Sequence, residues 1–243
     1  MKLILKKAHV YSYRFSVAFF YILCYPYLYF LALDPKRYPT IVKMRRRIAK
    51  ISSGMVGIRY RFAYEQPIDW SKAFIVCPNH SSNLDISAMC ALIKGNCSFM
   101  GKEELSDEPV TSLFFRTIDV AVNRDSKMSS YRAFKKAMEK LADGTTMIIF
   151  PEGKIGEDYP PQLEPFKNGP FRLAIESNIP MVPVTMRNSW ELLWDNGLRY
   201  GSRPGICDIF VHKPIETAGM SIEDTDALRD RVYDTIKQKL AEK

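Results

Sequence analysis

From Phe15 to Leu33 the chain runs for 19 residues without a charged side chain. A helix of that length is about 28 Å long, close to the hydrocarbon thickness of a bilayer. Any fold must either bury this stretch or hand it to lipid. Pro26 breaks its regularity, and Tyr21, Tyr25, Tyr27 and Tyr29 prefer the headgroup level to the bilayer centre. A cleaved leader fits poorly, because Pro26 and the tyrosines interrupt the apolar run and no small-residue cleavage site follows. A single transmembrane span and a bent helix pair dipping into one leaflet both remain. The bent pair suits Pro26 and the tyrosines better. Lys6, Lys7 and Arg14 precede the run, and Lys36, Arg37, Lys43, Arg45, Arg46 and Arg47 follow it. Cations on both flanks fit a hairpin whose two ends stay on the cytoplasmic face of the inner membrane.

The charge is unevenly placed. Residues 1–61 hold thirteen Lys and Arg against one acid, Asp34, a surplus of +12; the whole chain carries +8, so residues 62–243 carry −4. Basicity thus belongs to the N-terminal quarter, and beside an apolar run it points to an anionic lipid surface, with the cluster Lys43–Lys50 lying against it. A nucleic-acid arm would not need the apolar run, and no nucleic-acid partner is expected. The five cysteines (Cys24, Cys77, Cys90, Cys97, Cys207) form no C-x-x-C pair, and only three His are present. A disulfide framework and a metal site are therefore not expected.

After residue 55 the pattern changes. Short runs rich in β-formers alternate with longer helical patterns. Strands are predicted at 58–64, 73–77, 97–100, 118–122, 146–150, 181–186 and 207–212, and helices at 84–93, 129–142, 169–177 and 222–241. Phe134, Met138 and Leu141 recur at helical spacing, and Gly144 stands where a helix-terminating glycine belongs. The alternation predicts an α/β fold: a mostly parallel mixed sheet of about seven strands flanked by helices. The chain then divides into a membrane-anchoring helical segment, 1–54, and an α/β domain, 55–243.

Polar clusters follow three of the predicted strands, where open α/β sheets place their sites. The first is Asn79-His80-Ser81-Ser82-Asn83-Leu84-Asp85. A catalytic His needs a partner that sets its tautomer, and Asp85, five residues on, is placed to be one. The same residues read equally well as a helix start, with Ser82 or Asn83 as cap and His80 incidental. The second is Phe150-Pro151-Glu152-Gly153-Lys154, where Gly153 permits close backbone approach and Lys154 adds a cation; an ordinary Pro-Glu-Gly turn has the same composition. The third is Arg124, whose planar fork suits phosphate but which also stands beside Asp125. Ile179–Val184 carries two prolines and reads as a core strand at an edge or a strand end.

Together these blocks resemble the glycerolipid acyltransferase family, typified by bacterial 1-acylglycerol-3-phosphate acyltransferases, over roughly residues 60–215. Asn79, His80 and Asp85 match its N-H-x-x-x-x-D block, and Phe150, Pro151, Glu152 and Gly153 match its F-P-E-G block. Arg124 matches the Arg that ends a second block, with Thr117 and Ile118 where Gly is usual, and Lys154 stands where that family carries a hydroxyl. The resemblance implies transfer of a fatty acyl group from acyl-CoA or acyl carrier protein to the sn-2 hydroxyl of 1-acyl-sn-glycerol-3-phosphate, forming phosphatidic acid, without a metal or other cofactor. It implies His80 as base and Asp85 as its orienting partner. It also implies substrate binding by Asn79, Arg124, Glu152, Gly153 and Lys154. Lys154 leaves open another lysolipid acceptor, such as a lyso-ornithine lipid. A thioester hydrolase and an inactive membrane scaffold are the rivals from other classes. The partners implied are a lysophospholipid, the acyl donor and a phospholipid membrane. Ser81 and Ser82 lie near His80, but no G-x-S-x-G elbow is present. Backbone N–H groups within 79–84 are the expected oxyanion donors.

Overall fold

The computed structural model describes residues 2–242. Two long helices open the chain, α1 (Lys2–Ala32) and α2 (Tyr38–Met55), joined by a short 3-10 turn at Pro35–Arg37. The α/β alternation follows: β1 (Ile58–Tyr64), β2 (Ile75–Pro78), α3 (Leu84–Leu92), β3 (Cys97–Lys102), α4 (Ser112–Thr117), β4 (Val120–Val122), α5 (Lys127–Ala142), β5 (Thr146–Ile148), α6 (Gly169–Ser177), β6 (Met181–Met186), α7 (Ser189–Leu192), β7 (Gly205–Val211) and α8 (Thr225–Ala241). The seven strands form one sheet in the order β1-β7-β6-β2-β5-β3-β4. Every neighbouring pair is parallel except β6 with β7.

Strand alternation sorts the side chains into two layers. Ile75, Cys77 and Met147 face a core closed by α5, α6 and α8, whereas Val76, Ile148, Val182 and Val184 face a core closed by α1, α2, α3 and α4. The central strands β2, β5 and β6 are buried throughout, which matches their apolar sequences. Because β2, β4, β5 and β6 share one direction, their C-terminal ends form a common rim. Asn79, Arg124, Pro151 and Arg187 all leave the sheet at or near that rim.

Two expectations about the N-terminal segment need correction. The apolar run is not a bent pair: α1 continues through Pro26 as one helix. Proline removes one backbone donor, but residue 26 is exposed, and Tyr21, Leu28 and Leu31 on either side are buried in the same core. Packing on one core accompanies this continuity. The partner is α2, whose buried Ile41, Val42 and Ile48 belong to that core. Nor does the basic cluster form a single surface stripe. Arg45 is buried, its Nη1 donating to both Asp119 oxygens at 2.9 and 2.7 Å and its Nη2 to the Cys97 carbonyl at 3.1 Å. Asp119 Oδ1 in turn accepts from Phe99 N. The pair bolts α2 to β3 and to the start of β4. That strand begins at Val120 because Ile118 still closes the last turn of α4.

Breaking one partner of a buried ion pair strands the other charge. Arg45→Ala is expected to cost about 3 kcal/mol or more of unfolding free energy, against about 0.5 kcal/mol or less for Arg47→Ala at an exposed position. Urea denaturation of the two variants checks this, and equal losses would contradict it.

Candidate active site

The loop between β2 and α3 is held by side-chain carboxylates and neighbouring backbone carbonyls that take up its backbone N–H groups. Asp85, fully buried, accepts three hydrogen bonds on Oδ2: from Ser81 N at 2.8 Å, from Ser82 N at 2.9 Å and from His80 Nδ1–H at 3.0 Å. A carboxylate accepts only, so this contact places the ring proton on Nδ1 and leaves Nε2 as the basic nitrogen. The imidazole stacks on Phe150, with centroids 4.0 Å apart and planes 23° apart, so the ring has little freedom to turn. Ser82 Oγ accepts from Leu84 N. The segment therefore holds both a helix start and a His80–Asp85 hydrogen bond.

The second polar block supports the first from the neighbouring strand. Glu152 is buried; its Oε1 accepts from His80 N at 2.6 Å and its Oε2 from Glu164 N at 2.9 Å. Burial pushes this carboxyl up to about 8, helped by the nearby charges of Asp85 and Glu164 and opposed by the two backbone donors. Asn79, also buried, clamps the loop to the end of β6, its Oδ1 accepting from Met186 N at 2.7 Å and its Nδ2 donating to Met186 O at 3.2 Å. The groups of Glu152 and Asn79 expected to bind substrate are thus spent on protein backbone.

Gly153 has φ +77° and sits where Arg124 and Lys167 converge: a Cβ there would meet Arg124 Nη1 at 2.9 Å and Lys167 Cε at 3.2 Å. Arg124 Nη1 donates to the Gly153 carbonyl. It forms no ion pair with Asp125 among the described residues. Lys154 Nζ lies 3.7 Å from Glu164 Oε2. Lys167 gave no sequence signal beyond being one lysine in a loop.

The proposed oxyanion donors are overturned. Within 79–85 each backbone N–H is already engaged: Asn79 with Val184 O, His80 with Glu152, Ser81 and Ser82 with Asp85, Asn83 with Asp195 O, Leu84 with Ser82 Oγ, and Asp85 with Ser82 O. The serines are equally committed. Ser82 is buried as a cap, and Ser81 Oγ lies 3.2 Å from Ser189 Oγ. Burial pushes the thiols of Cys77, Cys90 and Cys207 well up from the ordinary range. Among the described residues no three His, Cys, Asp or Glu side chains are grouped to hold a metal.

A narrow cleft of about 40 Å³ opens at His80, lined by Ser81, Glu152, Gln162, Leu163, Met186 and Trp190. Trp190 belongs to an aromatic cluster with Tyr159, Trp194 and Tyr200 that the sequence analysis did not single out. A wider cavity of about 740 Å³, bordered by Tyr64, Trp70 and Lys94, lies on the opposite rim, because β1 runs against β2.

An α/β protein with a carboxylate-held histidine and a cationic glycine turn on one rim of its sheet is the class defined by this fold and site. The chain belongs to the acyltransferase family, whose model matches residues 59–187. It is 28% identical over 181 residues to human 1-acyl-sn-glycerol-3-phosphate acyltransferase alpha, covering 73% of this chain and 62% of that protein. It is 26% identical over 191 residues to the Saccharomyces cerevisiae 1-acyl-sn-glycerol-3-phosphate acyltransferase, covering 76% and 62%. The chain thus spans about six-tenths of the length of these relatives. The crystal structure of the 1-acyl-sn-glycerophosphate acyltransferase PlsC from Thermotoga maritima has the same fold, with TM-score 0.82, 24% identity, and coverage of 100% of this chain and 97% of that one.

The raised Glu152 carboxyl gives a pH signature. Between its ordinary value of 4.5 and about 8 the folded state holds a proton that the unfolded chain has released. Stability from this group is complete at low pH and is lost as pH rises through about 8. Wild type is expected to lose melting temperature across that window faster than Glu152→Gln, as followed by thermal denaturation. Parallel slopes would contradict the assignment.

Proposed function

We propose that the protein transfers a fatty acyl group from a thioester carrier, acyl-CoA or acyl carrier protein, to the sn-2 hydroxyl of 1-acyl-sn-glycerol-3-phosphate, giving phosphatidic acid. The observation that carries this reading is the fixed imidazole of His80. Its Nδ1 edge is tied to Asp85, which leaves Nε2 as the nitrogen available on a residue that lines the cleft. Nε2 takes the proton of the acceptor hydroxyl as the oxygen attacks the thioester carbonyl. Asp85 stabilises the imidazolium that forms. The C–S bond then breaks, and the departing thiolate takes the proton from Nε2. No acyl-enzyme is required, in keeping with the engaged serines and buried thiols. The names of the matched relatives support the acceptor, and Arg124 at Gly153 supplies a cation for its phosphate. The Lys154–Glu164 pairing removes the main reason to prefer a different headgroup.

The site works at a lipid surface. One face of α1 is docked along the body: His9 Nε2 on Val56 O at 2.8 Å, Tyr13 OH with Ser87 Oγ at 3.0 Å, Ser16 Oγ on Ser52 O at 3.0 Å, and Tyr21 against Phe114. The other face exposes Leu3, Ile4, Phe15, Phe19, Ile22, Leu23 and Phe30. A helix held along its length and ending at Asp34, Lys36 and Arg37 lies in the interface, because charges at the bilayer centre are costly. Both helix ends and the body then share one side of the membrane, which in a reducing cell is the cytoplasmic side.

Free-thiol release from acyl-CoA should require lysophosphatidate and should fall by about 10³-fold or more in His80→Ala; acceptor-independent release would favour the hydrolase. Phe15→Asp and Phe19→Asp, on the outward face, should cut sedimentation with anionic vesicles while leaving circular dichroism intact. Undiminished binding would place the lipid contact elsewhere.

A further inference from the structure

We infer that Lys167, a residue outside the family blocks above, is the second cation of the acceptor's phosphate site, and that it works with Arg124 across Gly153 in the place expected for Lys154. The inference rests on the acceptor reading just given. Three observations carry it.

The first is convergence. The Arg124 Nη1 and the Lys167 Cε, the carbon that carries its ammonium, border the same empty position, the one a Cβ on residue 153 would fill, at 2.9 and 3.2 Å. Two cationic side chains brought to one turn repel each other in the absence of an anion. An anion placed between them relieves that repulsion, and a phosphate monoester offers enough oxygen acceptors to meet both.

The second is availability. Lys154 is already paired with Glu164 at 3.7 Å. Among the described residues no Asp or Glu lies within ion-pair distance of Lys167, and none within that distance of Arg124. Lys167 is also exposed, so its ammonium is open to a ligand.

The third is anchorage. Lys167 N donates to Pro151 O at 2.9 Å, and three residues earlier Glu164 N donates to Glu152 Oε2 at 2.9 Å. These two bonds tie 164–167 to the turn that holds His80 through Glu152 Oε1. The Lys167 backbone is therefore in register with the base, and a phosphate held there sets the height of the attached glycerol hydroxyl relative to Nε2.

The test compares Lys167→Met, Lys154→Met and Arg124→Met with wild type, using lysophosphatidate and its phosphate-free counterpart, 1-acylglycerol, as acceptors. Lys167→Met should raise KM for lysophosphatidate by about tenfold or more, the scale of one lost charge-assisted hydrogen bond. It should leave the acyl-CoA KM and the rate with 1-acylglycerol near wild type, and Lys167→Arg should recover most of the loss. Lys154→Met should have the smaller effect. If Arg124→Met removes the preference for the phosphorylated acceptor while Lys167→Met does not, the inference about Lys167 fails and the acceptor reading stands. If neither changes the preference, the phosphate reading itself fails.

Discussion

The site depends on one buried carboxylate. Asp85 gathers two backbone N–H groups and the His80 ring on a single oxygen, and together with the stacked Phe150 ring it places the imidazole. The backbone donors do two things at once. They supply hydrogen bonds that a buried carboxylate must have, and they fix the carboxylate so that it dictates the ring's orientation. The N-terminus of α3 adds its dipole to the same end, so negative charge is held there at low cost. In the proposed reaction, an imidazolium formed on the ring would meet a charge already in position, without reorganisation.

The second carboxyl acts differently. Glu152 binds the amide of His80 rather than its ring, and it joins the end of β5 to the end of β2 through that amide. Asn79 does the same between β2 and β6. Three adjacent parallel strands are thus laced together at their C-terminal ends around the base. The result is a rim braced at three strands, bordered by the longer loop 151–168 and by the aromatic cluster around Trp190.

Much of this was legible in the sequence. The strand predictions rested on β-branched and apolar runs, and the observed strands fall on them with ends shifted by a few residues. The parallel topology followed from strands alternating with helices, and it brought the 79–85, 124 and 151–154 clusters to one rim. What could not be read has physical causes. Helices of six and four residues, α4 and α7, are too short to show a period. The buried stripe of α1 is hidden because its outward face is equally apolar. Arg45 looks like one more cation in a basic run, and only Asp119, 74 residues away, makes it a core residue. Substrate binding by Glu152 came from the family resemblance; that its carboxylate accepts from the His80 and Glu164 amides leaves no trace in a sequence.

The docking of α1 also bears on chemistry. The segment 193–202 touches both ends of the problem. Asp195 exchanges backbone hydrogen bonds with Ser81 and Asn83 in the His80 loop, at 3.0 and 2.9 Å. Next to it, Asn196 O accepts from Arg14, and Ser202 N donates to Lys6 O on α1. Gly197 and Gly201 have positive φ and lie against Val10 and Lys6, so a side chain at either would push the helix away. A flexible tether would raise the local concentration of lipid acceptors but would leave the cleft free to tumble above them. A helix joined to the His80 loop through one short segment would, on the proposed reading, fix the height and tilt of the cleft at the interface. In the proposed reaction the two held groups gain from orientation as well as proximity, so a two-helix layer that sets the orientation would serve positioning as well as anchoring.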